Sequence, residues 1–383
     1  MSAVLAHAWD AEAFTATDIM EATGLTRSTA IESTQDLIAR GLLSELPNAR
    51  AVGDYRKGRP ARRFALRTDA ATLVGVDAGN EHLIVRVTDL RSQELTTHHR
   101  SFERADDEPT ARRRAVVAAV NAAVSETGRT LEDVLALCIG VPAPVDSAGL
   151  SPRHPHGFWQ RMNPDLIHAF DGIPLVGVHN DASLAAIAEG SVGAAIGCQD
   201  YIALLAGSRM GAGVVTDGAV LRGSHGGVGE MVAFDHVQGV GNAEGLGVRI
   251  ATWAADLVRH GEAVPTGALA RLAPEQIDAP AVLRLASSGD PDAQRVVDRA
   301  STTLARIVSV LGSMFDPQRV VVSGAVASGF SDVVAAARAA LPTDLDLPAP
   351  ELFVSRLGAD VVVVGAVAAA SALARDRALD VIG

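Results

Sequence analysis

The chain has 383 residues, 48% of them hydrophobic and 20% charged, enough for a buried core and about two to three domains at roughly 150 residues each. Its formal net charge is −12, and it carries one lysine, Lys57, and two cysteines, Cys138 and Cys198. These counts exclude a lysine-bearing G-x-x-x-x-G-K-[ST] phosphate loop, a cysteine-rich zinc cluster and a disulfide framework. The first residues lack a basic stretch followed by an apolar one, so no signal peptide is expected. The longest uncharged apolar run, Val361 to Ala374, reads as a buried strand entering a helix and is too short to span a bilayer. A cytoplasmic protein without a membrane partner is expected.

In chain order, Thr15 to Gly24 predicts a short helix, with Thr15 as N-cap, Asp18 completing a box-like cap and Gly24 as terminator. Thr26 caps a second helix, Arg27 to Arg40, closed by Gly41. Ala30, Ile31, Thr34, Leu37 and Ile38 are expected on its inner face, and Arg27, Ser28, Thr29, Glu32 and Ser33 outside. Gly41 to Leu46 and Arg63 to Arg67 predict two strands. Residues 1–70 hold nine cations and nine anions, so the remainder supplies the whole −12. Seven of the nine cations fall between Arg50 and Arg67, opposed only by Asp54. Helix, glycine turn, helix and a basic two-stranded ribbon describe a winged helix-turn-helix that could enter the major groove of DNA. On charge alone, the basic segment reads equally as a solvated linker. Arg56-Lys57-Gly58-Arg59-Pro60 is similar to an AT-hook core, though a wing tip touching only phosphates has the same composition. The candidate DNA-binding residues are Arg27, Ser28, Thr29, Ser33, Arg56, Lys57, Arg59 and Arg62.

From residue 71 the pattern becomes α/β. Strands are predicted at Val74–Gly79, Leu83–Leu90, Leu135–Pro144, Ile173–Asp181, Tyr201–Ser208, Val320–Ala325 and Asp360–Gly365, with helices at Arg112–Glu126 and Ala182–Gly190 and a hairpin turn at Asp217-Gly218. Several of these strands end in Gly or Asp beside a helix start, which predicts a doubly wound body with a ligand crevice at the strand ends.

The chain resembles the ROK family of sugar kinases and sugar-responsive repressors. The resemblance rests on Gly75-Val-Asp77-Ala-Gly79, Gly140-Val-Pro-Ala-Pro144, Asn180-Asp181-Ala-Ser-Leu-Ala-Ala, Gly211-Ala-Gly213, Gly223 to Glu230, Phe315-Asp-Pro317 and Ser323-Gly-Ala325, in that order and spacing. It implies an actin/hexokinase-like, two-lobed body behind the winged helix-turn-helix. The expected division is 1–70 for the DNA-binding domain, 71–190 plus 365–383 for a first lobe, and 191–364 for a second lobe with an oligomerisation surface. Because family repressors carry the N-terminal module and family kinases lack it, the resemblance implies a repressor.

The departures from the family pattern fall on two features. The kinase phosphate loop D-x-G-G-T reads Asp77-Ala-Gly79-Asn80-Glu81, the second loop Gly-Thr-Gly reads Gly207-Ser208-Arg209, and the adenosine-side glycines read Ser323-Gly324-Ala325. Loss or weakening of ATP binding is therefore expected, and no cofactor. The family's zinc motif is also broken, because its histidine position is Ala233 and its three cysteine positions are Asp235, Val237 and Asn242. Asp235 and His236 leave at most a two-ligand remnant, so no metal site is expected.

The sugar-facing set survives. Asn180, Asp181, Glu230 and Glu244 match the family's polar positions, Asp181 being the general base if the protein were a kinase. His225 in the same glycine-rich loop is a further candidate, and Trp159 could pack on a sugar face or simply in the core. These residues predict a homodimeric or homotetrameric regulator that binds an operator in double-stranded DNA and a sugar effector between its lobes. The alternatives are an active sugar kinase with an added DNA-binding domain, or a DNA-binding protein with a scaffold body.

Overall fold

The computed structural model describes residues 1–47, 61–343 and 347–382. Helix α1 (Ser2–Asp10) opens the chain, followed by β1 (Phe14–Thr15), α2 (Ala16–Thr23), α3 (Arg27–Ala39), β2 (Leu43–Leu46) and β3 (Arg63–Leu66). Thr15 caps α2 in a reciprocal box with Asp18, and Gly24 closes it in the left-handed region at φ 70°. Neither α1 nor β1 was expected from the sequence; β1 pairs antiparallel with β3 to make a three-stranded sheet in the order β1-β3-β2. The expected inner face of α3 needs correction. Ser33 is buried, at 7% exposure, whereas Ile31 is exposed. Ala30, Ser33, Thr34 and Leu37 recur at three- and four-residue steps on one stripe, and Ile31 stands about 100° away from Ala30.

Two five-stranded sheets follow. The first holds β4 (Thr72–Ala78), β5 (His82–Thr88), β6 (Glu94–Ser101), β7 (Val134–Val141) and β8 (Leu175–Asn180), with α4 (Pro109–Glu126), α5 (Phe158–Met162) and α6 (Asp181–Ser191) between or after its strands. The second holds β9 (Tyr201–Leu205), β10 (Gly211–Thr216), β11 (Ala219–Val220), β12 (Arg319–Ser323) and β13 (Glu351–Val354), with α7 (Leu246–Arg259), α8 (Ala279–Ser287), α9 (Pro291–Phe315) and α10 (Ser331–Ala339) in its connections. Their orders, β6-β5-β4-β7-β8 and β11-β10-β9-β12-β13, are the same when each sheet's strands are counted from its own first: third, second, first, fourth, fifth. The β10–β11 hairpin turns at Asp217 (φ 51°) and Gly218 (φ 73°), as that dipeptide requires.

The last helix, α11 (Val361–Val381), corrects the strand expected at Asp360–Gly365. Four consecutive valines favour a strand by propensity, but here they begin a helix packed against α6, β4 and β7. Gly365 lies flush on the carbonyl of Leu184 in α6, where a Cβ would overlap the backbone. By length and hydropathy α11 could cross a membrane, yet half of its most apolar stretch is buried within the protein. A core helix packed between the first sheet and α6 needs the same composition. The far end of α11 reaches the N-terminal unit. Arg375 forms a two-pronged ion pair with Asp10 of α1 at 2.5 and 2.8 Å, and Arg40 beyond α3 donates to the Ile382 carbonyl. Arg91 adds hydrogen bonds to the carbonyls of Ala8 and Ala11.

Candidate functional site

Strands β4, β7 and β8 run parallel, so Asp77, Gly140 and His179 stand level and the strand ends beyond them share one edge of the first sheet. That edge carries Asp77 at the end of β4 and Asn180-Asp181 at the start of α6. Asn180 is the helix N-cap: its Oδ1 accepts from the Ser183 N–H at 3.1 Å, and its Nδ2 donates to the Ala143 carbonyl at 3.2 Å. One N–H of its amide is left for a ligand. Asp181 occupies the first helical position and accepts from the Ala182 N–H at 2.8 Å. Burial, reinforced by the charges of Asp77 and Glu230, pushes its carboxyl up to about 7. Near neutral pH it can therefore both donate to and accept from a hydroxyl.

The second sheet brings up the opposite wall. The turn between β9 and β10 forms antiparallel bridges with two loop segments, Arg209 facing Glu244 and Gly211 facing Glu230. Burial holds the Glu230 carboxyl above the usual glutamate range, against the opposing charge of Arg209. The loop leading to Glu230 crosses back to the first sheet, since a side chain at Gly226 (φ 70°) would overlap the Val145 backbone. The structure thus brings Asp77, Asp181 and Glu230 into one electrostatic group. Glu244 adjoins it through the shared turn but is exposed, as is His225. Trp159 lies against His154, with ring centroids 4.7 Å apart and planes tilted by 59°, and packs on the first sheet's core.

The β4–β5 turn has a different character. Arg112 of α4, only 1% exposed, donates to the carbonyls of Ala78, Gly79 and Asn80 and lies over the Phe102 ring at 3.8 Å. Burial, then the nearby charge of Arg161, pulls its guanidinium down to about 10. The His82 ring covers Gly79 and meets Asp77 Oδ2 at 3.0 Å, a contact that raises the imidazole pKa against the effect of burial. A phosphate cradle presents backbone N–H groups to the anion; here the turn's carbonyls face inward and a side chain lies across its glycine. At the third altered position, the Ser323 hydroxyl donates to buried Glu189 at 2.8 Å.

The positions aligned with the zinc motif do not fit zinc. Ala233, Asp235, Val237 and Asn242 offer no tetrahedral N/S set, and among the described residues no three His, Cys, Asp or Glu side chains cluster in a metal-binding arrangement.

On the N-terminal unit, Arg27, Ser28 and Thr29 are exposed together at the start of α3, behind the Thr26 cap. Ser33, buried in the unit, cannot join them. Arg62 is exposed but pairs with Glu45 through both carboxylate oxygens, at 2.8 and 2.5 Å. Arg56, Lys57 and Arg59 lie outside the described residues.

Neither Arg112 nor His82 stands out in the sequence as a site residue, and Arg209 does so only as a departure from the second phosphate loop. Arg112 did carry a signal: Ala115, Val116, Ala119 and Val120 follow it at three- and four-residue steps, which places it on the buried face of α4.

Two α/β sheets of one order, facing each other across carboxylate-bearing strand ends behind a helical N-terminal unit, define the class. Residues 73–375 match the ROK family profile, and the chain belongs to the ROK family. Its body has the α/β ROK, hexokinase-like fold. It is 26% identical over 322 residues to the DNA-binding transcriptional dual regulator NagC of Escherichia coli K12, covering 80% of this chain and 76% of that one. The crystal structure of a ROK family transcriptional regulator, a homologue of the E. coli Mlc protein, superimposes with a TM-score of 0.76 at 21% identity, covering 100% of this chain and 98% of the other. A ROK family glucokinase from Streptomyces griseus, solved with glucose and AMPPNP, gives 0.61 at 23% identity, covering 78% of this chain and 99% of its own.

Proposed function

We propose that this protein is a cytoplasmic DNA-binding transcriptional repressor whose operator affinity is set by a sugar or sugar derivative bound between the two sheets. Residues 1–70 act as a winged helix-turn-helix, with Arg27, Ser28 and Thr29 reading base edges and Arg56, Lys57, Arg59 and Arg62 on the wing. Asn180, Asp181, Glu230, Glu244 and His225 take the effector, without a cofactor or metal. The chain works as a homodimer or homotetramer that presents two such units to a palindrome.

One observation carries this reading. Helix α11 packs along α6, whose first residue is Asp181, and its other end is pinned to α1 and the end of α3. A ligand that favours one closure of the cleft shifts α6 and α11 together and re-aims the N-terminal unit; it can do so only by binding one closure state better than the other. The kinase alternative is disfavoured by the β4–β5 turn, which Arg112 and His82 fill.

Selection of the full chain on a random duplex library tests the DNA half: it should enrich an inverted repeat. Neutralising Arg56, Lys57 and Arg59 should weaken that binding and flatten its salt dependence. Titration with glucose, N-acetylglucosamine and xylose tests the sensor half through a change in operator affinity. Sugar-dependent ATP turnover, lost in Asp181→Asn, would overturn the reading in favour of a kinase. Operator binding with no response or thermal shift on any sugar would leave a scaffold body.

A further inference from the structure

The segment that aligns with the zinc motif is ordered in this chain by a different device. Gly239 and Gly241, at φ 77° and 90°, turn the loop, and three of its carbonyls converge on Arg249 of α7. Arg249 Nε donates to the Glu244 carbonyl at 2.9 Å, Nη1 to that of Val240, and Nη2 to that of Asn242 and to Asn242 Oδ1 at 3.2 Å. The side chain is 4% exposed. Arg306 of α9 adds a bond to the Gly239 carbonyl at 3.1 Å. On its other side the loop hydrogen-bonds to the β9–β10 turn, from Met210 N–H to the Ala243 carbonyl and from Gly245 N–H to the Ser208 carbonyl, both at 2.9 Å. Glu244 therefore sits on backbone fixed from two directions.

We infer that Arg249 is a positioning residue: its buried guanidinium is the internal cation that orders the loop carrying Glu244, in place of a bound metal. A structural zinc takes four ligands in tetrahedral array, mostly thiolates and imidazoles, and the aligned segment offers one imidazole, His236, and no thiolate. Main-chain carbonyls are poor ligands for zinc and good acceptors for a planar fork of N–H groups. Burying such a charge is costly unless its donors are met, and here the loop's own carbonyls meet them. An arginine keeps its charge throughout the working pH range and has no thiol to oxidise, so this clip is insensitive to chelators, oxidants and moderate pH. Only the role of Glu244 as an effector contact rests on the sensor reading above.

Hydrogen exchange on the full chain tests the inference. Treating the wild type with 1,10-phenanthroline should leave protection at residues 239–245 unchanged. Arg249→Gln should speed exchange there and at Ser208–Met210 by at least about tenfold, with the amides of α11 unaffected. If Arg249→Gln loosens the whole chain, Arg249→Lys decides, because one ammonium cannot span the three carbonyls and local loosening is still expected. Unchanged protection in the variant that folds, or loosening by the chelator, overturns the inference. Glu244→Gln keeps every staple bond, so it should leave exchange unaltered while weakening the response to N-acetylglucosamine, glucose or xylose. A normal staple with no sugar response in any variant counts against the sensor reading and leaves the staple standing.

Discussion

At the end of β4 the backbone carbonyls of Ala78, Gly79 and Asn80 are held by Arg112, whereas at the end of β8 the first N–H groups of α6 are held by Asn180 and Asp181. The two strand ends belong to one sheet and one edge, yet they are electrostatically opposite. The carbonyls of the β4 turn are satisfied by the chain's own guanidinium, and the His82 ring lies over its glycine, where a phosphate would need open backbone. The α6 side keeps Asp181, and facing it Glu230, whose carboxyls burial holds above their usual ranges. Carboxyls in that state lack partners that hydroxyl groups can supply. The difference teaches that one edge of a sheet can be saturated by the chain's own cation at one strand end while the next keeps carboxyl groups with unused hydrogen-bonding capacity.

The strongest way to break this comparison is to remove the cation behind the β4 turn. Arg112→Met keeps most of the apolar stem but leaves three carbonyls without their donor, and should cost about 2–4 kcal/mol of stability, read from the urea midpoint. A neutral result would mean that the turn is satisfied by water and is not saturated by Arg112. The companion binding measurement is a thermal shift with magnesium and ATP, expected to be absent in the wild type. A clear stabilisation by ATP would erase the contrast between the two strand ends.

Asp181→Asn probes the open half and is expected to come next in size. The Asp181 pKa rises from 3.8 in the unfolded chain to about 7 in the folded one. Between those values the folded state binds more protons, so stability falls as pH rises through the window and stays reduced above it. The asparagine variant escapes this loss. It should match the wild type near pH 4 and exceed it by about 1–3 kcal/mol at pH 8, after allowance for partial exposure of the site. The same variant should lose its response to sugar. Equal stability at both pH values would show that Asp181 is ordinarily solvated.

What the sequence made legible was local. The Thr15–Asp18 box, the Gly24 stop, the Asp217-Gly218 hairpin and the apolar strands β4 and β7 each follow from residues within a few positions of one another. The candidate carboxylates were legible only because their motifs resemble a family's. What escaped depends on distant packing. Val361–Val364 look like a strand until Leu184 and Gly365 set a helix against α6. Ser33 reads as a solvent-facing hydroxyl until the neighbouring helices close over it. Arg249 looks like a surface charge and Arg112 shows only its place on an apolar helix face; what makes both internal staples is carbonyls 5–9 and 32–34 residues away, turned toward them by the fold. The repeated strand order of the two sheets leaves no residue-level trace that was read from the sequence, because order is a property of pairing.

The smallest effect belongs to His82, and it tests whether the imidazole itself helps close the β4 turn. Its ring is raised in pKa first by the hydrogen bond to Asp77, with burial opposing, and its side chain is 54% exposed. A group whose folded pKa lies above its unfolded value of 6.5 stabilises fully below that value and loses the contribution as pH climbs through the folded pKa. His82→Gln should therefore lower the melting temperature slightly at pH 5.5, with the difference from wild type vanishing by pH 9. A difference that persists unchanged at pH 9 would assign the ring a packing role over Gly79. In that case the turn is closed by shape, and the contrast with the α6 wall rests on Arg112 alone.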